Sequence, residues 1–326
     1  MNKHYHQLTL EQRYQIWSLR GSRKSLRAIG EIVGVHHSTV SRELKRNRGD
    51  AGYAPRHAEQ LSQTRKRTAR KSGKRNEQID NIIRDGLKAG WSPGSISERM
   101  KFELASPGDC LSHTSIYRMI AQDKARKGHL YLYLPNTGRT RWKGGKRQRQ
   151  AGAGLIPERV DIKERPVIVE SRQRLGDWEG DTVHGQSAHL VTLVERKSRF
   201  TLAKRVFSKT KQEVADAMIA LLATVTAKVT LTLDNGGEFA DHVRVGKAAK
   251  IAIFFARPYA SWQRGTNENA NGRIRRFWPK KFDMATLTEA EIEKKIWRLN
   301  MTPRKILGGK TPFEVFTGKR VALIIS

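Results

Sequence analysis

Apolar positions follow two rhythms along the chain. In the first part they recur every three to four residues within short blocks, as buried helix faces require. Residues 8–21, LTLEQRYQIWSLRG, open with a capping box, Thr9 followed three places later by Gln12, and then set Tyr14, Ile16, Trp17 and Leu19 at helical intervals. Residues 25–33, SLRAIGEIV, predict a second helix, and Gly34 supplies a turn. Residues 37–47, HSTVSRELKRN, predict a third, capped by Ser38, with Val40 and Leu44 turned inward. Gly30 inside the second helix costs roughly 1 kcal/mol relative to Ala, which suggests close approach of the third helix.

The pattern returns in a looser form. Residues 76–90, NEQIDNIIRDGLKAG, are amphipathic and closed by Gly, and residues 91–100, WSPGSISERM, start a helix with Pro93 in its first turn. Residues 112–120, SHTSIYRMI, echo the Ser/Thr start of the third helix. Two strongly basic, Gly-containing stretches, 65–75 and 138–154, read as tethers that are flexible alone and neutralise phosphates when bound. Trp142 in the second either stacks on a base or stands exposed.

From residue 166 the rhythm becomes that of strands. Residues 177–185, 189–196 and 200–207 read as three strands separated by short turns, and 211–225 as a helix of period 3.6. Residues 228–234 and 251–256 read as a fourth and a fifth strand, and QRGTNENANGRIRRFW beyond them as a helix. A three-strand meander followed by helix, strand, helix, strand and helix predicts an α/β layer with a mixed five-stranded sheet. The expected organisation is an all-α helix-turn-helix domain at 1–50, a basic linker at 51–75, a second helix-turn-helix-like domain at 76–128, a basic Gly-rich linker at 129–165, and an α/β core with a helical tail at 166–326.

Charge gives the helical part its chemistry. The 326 residues carry 63 Lys or Arg against 31 Asp or Glu, a net +32, and the first 150 hold 32 of those cations with 12 of the acids. An extended polyanion, most commonly nucleic acid, suits such a surface. Three short helices with a Gly turn before the last match the helix-turn-helix pattern, whose last helix enters the major groove. Base edges would be read by His36, His37, Ser38, Thr39 and Arg42, and phosphates met by Lys45, Arg46 and Arg48. An ordinary three-helix bundle with a charged face is the simpler alternative. Cys110 is the only cysteine, which excludes an internal disulfide and a cysteine-built zinc cluster. With no apolar run long enough for a bilayer and no secretory signal, the chain is expected to be cytosolic and bound to DNA rather than membrane.

In so basic a chain the acids of the core stand out. Asp177, Glu179 and Asp181 alternate, so all three point to one face of the first core strand. Asp234 ends the fourth strand directly before Asn-Gly-Gly, with Glu238 as a rival nearby. Glu268 follows 34 residues later, room enough for a loop, the fifth strand and entry into a helix. Each alone is most simply a solvated charge. Together, carboxylates from two strands and a helix are hard ligands suited to Mg²⁺. Two such ions about 4 Å apart clamp the attacking and leaving oxygens of an in-line phosphoryl displacement. The strand-one ligand is left open among its three acids.

At these residues the chain resembles the DDE transposases with a retroviral-integrase-like, ribonuclease-H-like core, and more narrowly those of the insertion-sequence-thirty family. LTLEQRYQI, STVSRELKRN, RPVIVESRQRLGDWEGDTVHG, LTLDNGGEF, YASWQRGTNENANGRIRRFWPK and TPRKILGGKTPFEVF carry the likeness over nearly the whole length. The resemblance implies Asp181, Asp234 and Glu268 as catalytic metal ligands, Mg²⁺ (two ions, with Mn²⁺ as substitute) as cofactor, and Arg275, seven places after Glu268, as a DNA contact; Arg264 is expected as a further DNA contact. It also implies a bacterial, nucleoid-associated homo-oligomer that binds terminal inverted repeats and target DNA. Two local departures stand out, Gly30 where such helices usually carry Ala and Met-Thr before Pro303 where Asn-Arg is usual; NENANG, within a matching stretch, is a poor helix sequence.

Two other functions compete. A helix-turn-helix regulator without catalysis needs only the first 120 residues and leaves the acids unexplained. A metal-dependent nuclease of ribonuclease-H type would cleave without joining and has less use for two tethered readers.

Overall fold

The computed structural model describes residues 7–50, 52–68, 76–104, 110–135, 156–257 and 261–324. The basic stretches at 69–75 and 138–154, Trp142 included, lie outside the described residues. The chain forms two compact units, Met1–Asn76 and Glu77–Ser326.

In the first unit, α1 (Leu10–Gly21), α2 (Leu26–Val33) and α3 (His37–Arg46) pack through Leu8, Ile16, Ile29, Val33 and Val40. The Thr9–Gln12 capping box forms, and Gly34 closes α2 with φ at 74°, a conformation that favours glycine. Gly30 does mark a close approach. A Cβ there would stand 2.7 Å from the Val35 carbonyl oxygen and 3.1 Å from the His37 nitrogen.

Two expectations for this unit need correction. The cap of α3 is His36 rather than Ser38, because the His36 ring accepts a hydrogen bond from the Ser38 backbone N–H and the helix already starts at His37. The region 51–75 is not simply a linker. A hairpin, β1 (Arg48–Gly49) with β2 (Gly52–Tyr53), leads into α4 (Pro55–Thr68). Buried Arg13 of α1 explains why α4 docks. Its guanidinium donates to Glu43 of α3 at 2.7 Å and pairs with Glu59 of α4, while the Tyr53 hydroxyl donates to the same Glu43 carboxylate. Arg65, read as part of a tether, donates to the side chain of buried Asn47.

The second unit begins with α5 (Glu77–Lys88), α6 (Pro93–Glu103) and α7 (His113–Ala125), wrapped around Ile83, Leu87, Ile96, Met100 and Ile116. These helices cluster with the core that follows rather than apart from it. Fully buried Arg99 of α6 donates to Glu314 at 2.6 Å and to the Gly309 carbonyl at 3.1 Å, and Glu103 accepts from the backbone N–H groups of Leu323 and Ile324. Glu314 lies on α13 (Pro312–Thr317).

A short α8 (Ile168–Ser171) precedes the sheet. Its strands are β3 (Asp177–His184), β4 (His189–Glu195), β5 (Thr201–Val206), β6 (Thr230–Leu233) and β7 (Ala252–Phe255), in the spatial order β5-β4-β3-β6-β7. The β3–β4 and β4–β5 pairs are antiparallel, and β3–β6 and β6–β7 are parallel, so the expected mixed five-stranded sheet is borne out. One face packs on α9 (Lys211–Ala223) and α10 (His242–Ala249) through Trp178, Leu193, Met218, Leu222, Leu231 and Val245. The other packs on α11 (Gly265–Phe277) and α12 (Glu289–Asn300) through Val183, Leu190, Ile274, Ile292 and Ile296. No helix of the described residues is long and apolar enough to cross a membrane.

The Gly30 contact yields a prediction. Gly30→Ala gains roughly 1 kcal/mol of helix propensity but overpacks against backbone at a cost of about 1–3 kcal/mol. Amides of α2 and α3 are therefore expected to exchange with deuterium about fivefold faster, the equivalent of about 1 kcal/mol. Unchanged exchange would show that the turn at Val35 yields freely.

Candidate active site

Alternation along β3 sends Asp177, Glu179 and Asp181 to the face that α11 covers, as the sequence predicts, and burial then separates them. Asp177 is fully buried, held by Arg174 at 2.9 Å and by the Thr230 hydroxyl at 2.7 Å. Glu179 is also fully buried, accepting from Arg196 at 2.6 Å and from the Asn267 backbone N–H at 2.9 Å. Arg196 also reaches Glu170, which pairs in turn with Arg165, so both carboxylates are spent on the interior. Asp181, toward the carboxyl end of the strand, keeps a partly open side chain, 22% exposed.

Strand register brings Asp234 beside it. The parallel pairing runs Asp177↔Thr230, Trp178↔Leu231, Glu179↔Thr232, and two further steps on each strand align Asp181 with Asp234. Asp234 follows β6 immediately and accepts from the Gly236 backbone N–H at 2.9 Å. The Asn-Gly-Gly turn has a steric reason here. A Cβ on Gly236 would stand 2.4 Å from a Glu238 carboxylate oxygen and 3.0 Å from Oδ1 of Asp234. Glu238 itself turns away to Lys209 at 2.7 Å and the Thr182 hydroxyl at 3.0 Å.

Arg264 lies between the two aspartates. Its Nη2 donates to Asp234 at 2.8 Å, its Nη1 lies 3.7 Å from Asp181, and the same Nη1 donates to the Gly180 carbonyl at 2.8 Å. The sequence reading made Arg264 a DNA contact; in the structure its charge is taken by the acid pair. Asn271 of α11 completes the setting by donating to Asp181 Oδ2 at 2.7 Å. That residue was passed over as part of a poor helix sequence. The available signal was its spacing, since Asn267 and Asn271 are one turn apart and so share a helix face.

Burial pushes the Asp181 carboxyl above its ordinary pKa. Arg264 pulls it back, while Asp234 and Glu238 push it further up. Burial also opposes the charge on Glu238, but Lys209 and Thr182 outweigh it and hold that carboxyl below its ordinary value. Glu268 lies on the first turn of α11, exposed, one turn beyond Arg264. The structure does not bring it against the two aspartates, and no group of three or more His, Cys, Asp or Glu among the described residues is placed to hold a metal. Arg275 follows two turns later, half-buried, its guanidinium pKa lowered by burial.

In the first unit, His36, His37, Arg42, Lys45, Arg46 and Arg48 are all exposed, and Ser38 and Thr39 are half-buried. His36 is partly committed to its own helix, with Nδ1 2.8 Å from the Ser38 hydroxyl. Exposed Ser41, one turn after His37, was not singled out and belongs to the same end of the helix.

Comparison with known proteins gives this geometry its context. Residues 4–47 match a family of helix-turn-helix domains, and residues 171–261 match the integrase core domain. The transposase for insertion sequence element IS4351 of Bacteroides fragilis is 38% identical over 97% of this chain and 96% of its own length. Transposase InsI for insertion sequence element IS30A of Escherichia coli strain K12 is 32% identical over 94% of this chain and 82% of its own. Among solved structures, the catalytic core domain of BIV integrase aligns with 44% of this chain and 93% of its own, at 24% identity and a TM-score of 0.36.

The pKa of Asp181 sets a pH test. A carboxyl whose folded pKa is raised stabilises the fold at low pH and loses that contribution as pH rises through the folded value. Asp181→Asn is therefore expected to melt higher than wild type at pH 7–8, by about 2–4 °C for each kcal/mol recovered. The gap should shrink as pH falls toward about 4, the ordinary aspartate range. A melting temperature that drops at pH 7–8 would mean that the Arg264 attraction dominates burial.

Proposed function

The chain belongs to the IS30 family of insertion-sequence transposases, and from that membership we propose that it cuts DNA at the ends of its element and joins those ends to target DNA through a DDE mechanism. The observation that carries this reading is the pair Asp181 and Asp234 on neighbouring parallel strand ends, sharing one cationic partner. Two oxygen-donor side chains that already share a positive charge fit a hard divalent ion. Asp181, Asp234 and Glu268 would hold Mg²⁺, with Mn²⁺ as a substitute, and the bound ion would activate water and neutralise charge on the phosphodiester. Glu268 is the least fixed of the three, and its place one turn beyond Arg264 supports its inclusion.

The chain's own residues supply position. Asn271 and the Thr182 backbone N–H fix the orientation of the Asp181 carboxylate, at 2.7 and 2.9 Å. Gly236 lets the backbone fold close to Asp234. Arg275, on the helix that carries Glu268, contacts DNA near the cleaved phosphate. Hydrolysis of one phosphodiester at the element's end frees a 3′-hydroxyl. That hydroxyl attacks a second phosphodiester, forming a new P–O bond as the old P–O3′ bond breaks and leaves a 3′-hydroxyl on the attacked strand, and no Ser, Tyr or His nucleophile on the protein takes part. Helix α3 recognises the terminal inverted repeat, and two ends are held by a homo-oligomer acting at the nucleoid in the cytoplasm.

Labelled duplex carrying the DNA that flanks the gene, incubated with protein and Mg²⁺, tests the reading directly. Wild type is expected to give cleaved and joined products, and Asp234→Asn to lose both by at least on the order of 100-fold. Cleavage without joining would indicate a nuclease, and tight binding without chemistry by both proteins a regulator. A separate arm tests the phosphate role of α3. Lys45→Gln in the full chain should reduce the slope of log affinity against log salt by about 0.9, the value for one phosphate contact on duplex DNA. An unchanged slope would remove Lys45 from the interface.

A further inference from the structure

A second concave site lies in the same unit, reached by other residues of α11, Gly265, Thr266, Asn269, Ala270 and Arg273, which alternate along the chain with those that serve the acid pair. It is a cavity of about 680 Å³ whose lining includes Arg172, Arg199, Arg273, Arg304 and Lys305. Among the described residues that line it there is no carboxylate. Such a volume is in the range of sites for small ligands, and five cations with no acid between them repel one another unless an anion joins them.

Arg304 makes the case specific. It is 5% exposed, and although one guanidinium nitrogen donates to the Leu299 carbonyl at 3.0 Å, its Nε and Nη1 make no hydrogen bond to the described residues. A buried charge left with unmade hydrogen bonds is costly, so a chain that keeps one has a use for it or an absent partner. Burial, then Arg273, Arg276 and Arg199, push the Arg304 pKa well below its ordinary value, and burial with Arg276 brings Arg273 to about 10. The two acids that act on Arg199 from beneath, Glu179 and Glu195, are already engaged by Arg196 and Ser198.

The lining also includes Ser92 and Ser95 at the start of the 11-residue α6. The Ser92 hydroxyl caps the Ser95 N–H there, and the helix end adds its partial positive charge to that of the cations. Planar guanidinium forks, hydroxyls and a helix N-terminus are the combination that recognises phosphate.

We propose that this cavity is a phosphate site of the catalytic unit, separate from the aspartate pair, taking either the phosphodiester groups of a DNA strand or a free oligophosphate. It does not rest on the metal-dependent reading and is tested without metal. Full-length protein in EDTA is titrated with sodium tripolyphosphate and, separately, with a five-nucleotide oligothymidylate, following melting temperature and binding heat. Arg273→Gln and exposed Lys305→Gln are each expected to weaken binding about tenfold or more, the equivalent of 1.4 kcal/mol, while Lys247→Gln, exposed on α10, leaves it unchanged.

Arg304→Met separates a binding role from a structural one. If Arg304 is kept for an anion, the variant melts higher than wild type in the absence of either probe and loses the probe-induced rise. A response to oligothymidylate assigns the site to a nucleic-acid strand, and a response to tripolyphosphate alone assigns it to a free oligophosphate. Wild-type affinity for both probes in Arg273→Gln and Lys305→Gln overturns the proposal, as does a folded Arg304→Met that melts lower and responds fully. Should Arg304→Met fail to fold, the two surface-side variants decide the matter.

Discussion

The parallel pairing of β3 with β6 is the constraint from which the candidate site follows. Antiparallel neighbours would put their carboxyl ends at opposite edges of the sheet. Parallel ones put both ends at the same edge, where ligand sites of open α/β sheets lie. Here the register is pinned from below, because buried Asp177 accepts from Thr230 across the pair and its own carbonyl accepts from the Arg196 backbone N–H. A slip of one residue would turn every β3 side chain to the other face. It would set Trp178 among the acids and Asp181 in the apolar layer under α9.

Once that edge exists, α11 decides how it is used. The helix is poor in intrinsic propensity, with Asn at 267, 269 and 271 and Gly at 272, and its stability comes from Ile274 and Ala270 packed on the sheet. One of the asparagines serves an acid instead: the Asn271 amide holds Asp181, while Glu179 accepts from the backbone N–H at Asn267, which the helix itself supplies. Local weakness in the helix is thus exchanged for control over the open carboxylate, a common conflict at functional sites.

Much of this was legible in the residues, and what was not has physical causes. Periodicity gave the strands and helices, and the two-residue alternation gave the common face of Asp177, Glu179 and Asp181. It could not say which of the three stays open, because that depends on Arg196 and Glu170, charges brought in from other elements. Helix α4 was hidden because its apolar positions are few and its cations suggested a solvated tether; its docking depends on Arg13, more than 40 residues upstream. Arg264 looked like one basic residue among many until folding placed it between two acids. Glu268 was chosen by family resemblance, and its exposed place on α11 leaves its role to experiment.

The ion pair that joins α6 to α13 has a consequence in time. Arg99 and Glu314 are 215 residues apart in sequence, and at about 5–20 residues per second the ribosome needs on the order of 10–40 s to deliver the acid after the cation. During that interval α5, α6 and α7 can close around their own apolar centre, but Arg99 has no distant partner to bury against. Docking of these helices onto the core is therefore among the last events of synthesis. A product that stops before α13 would carry a finished acid edge alongside helices not yet fastened to it.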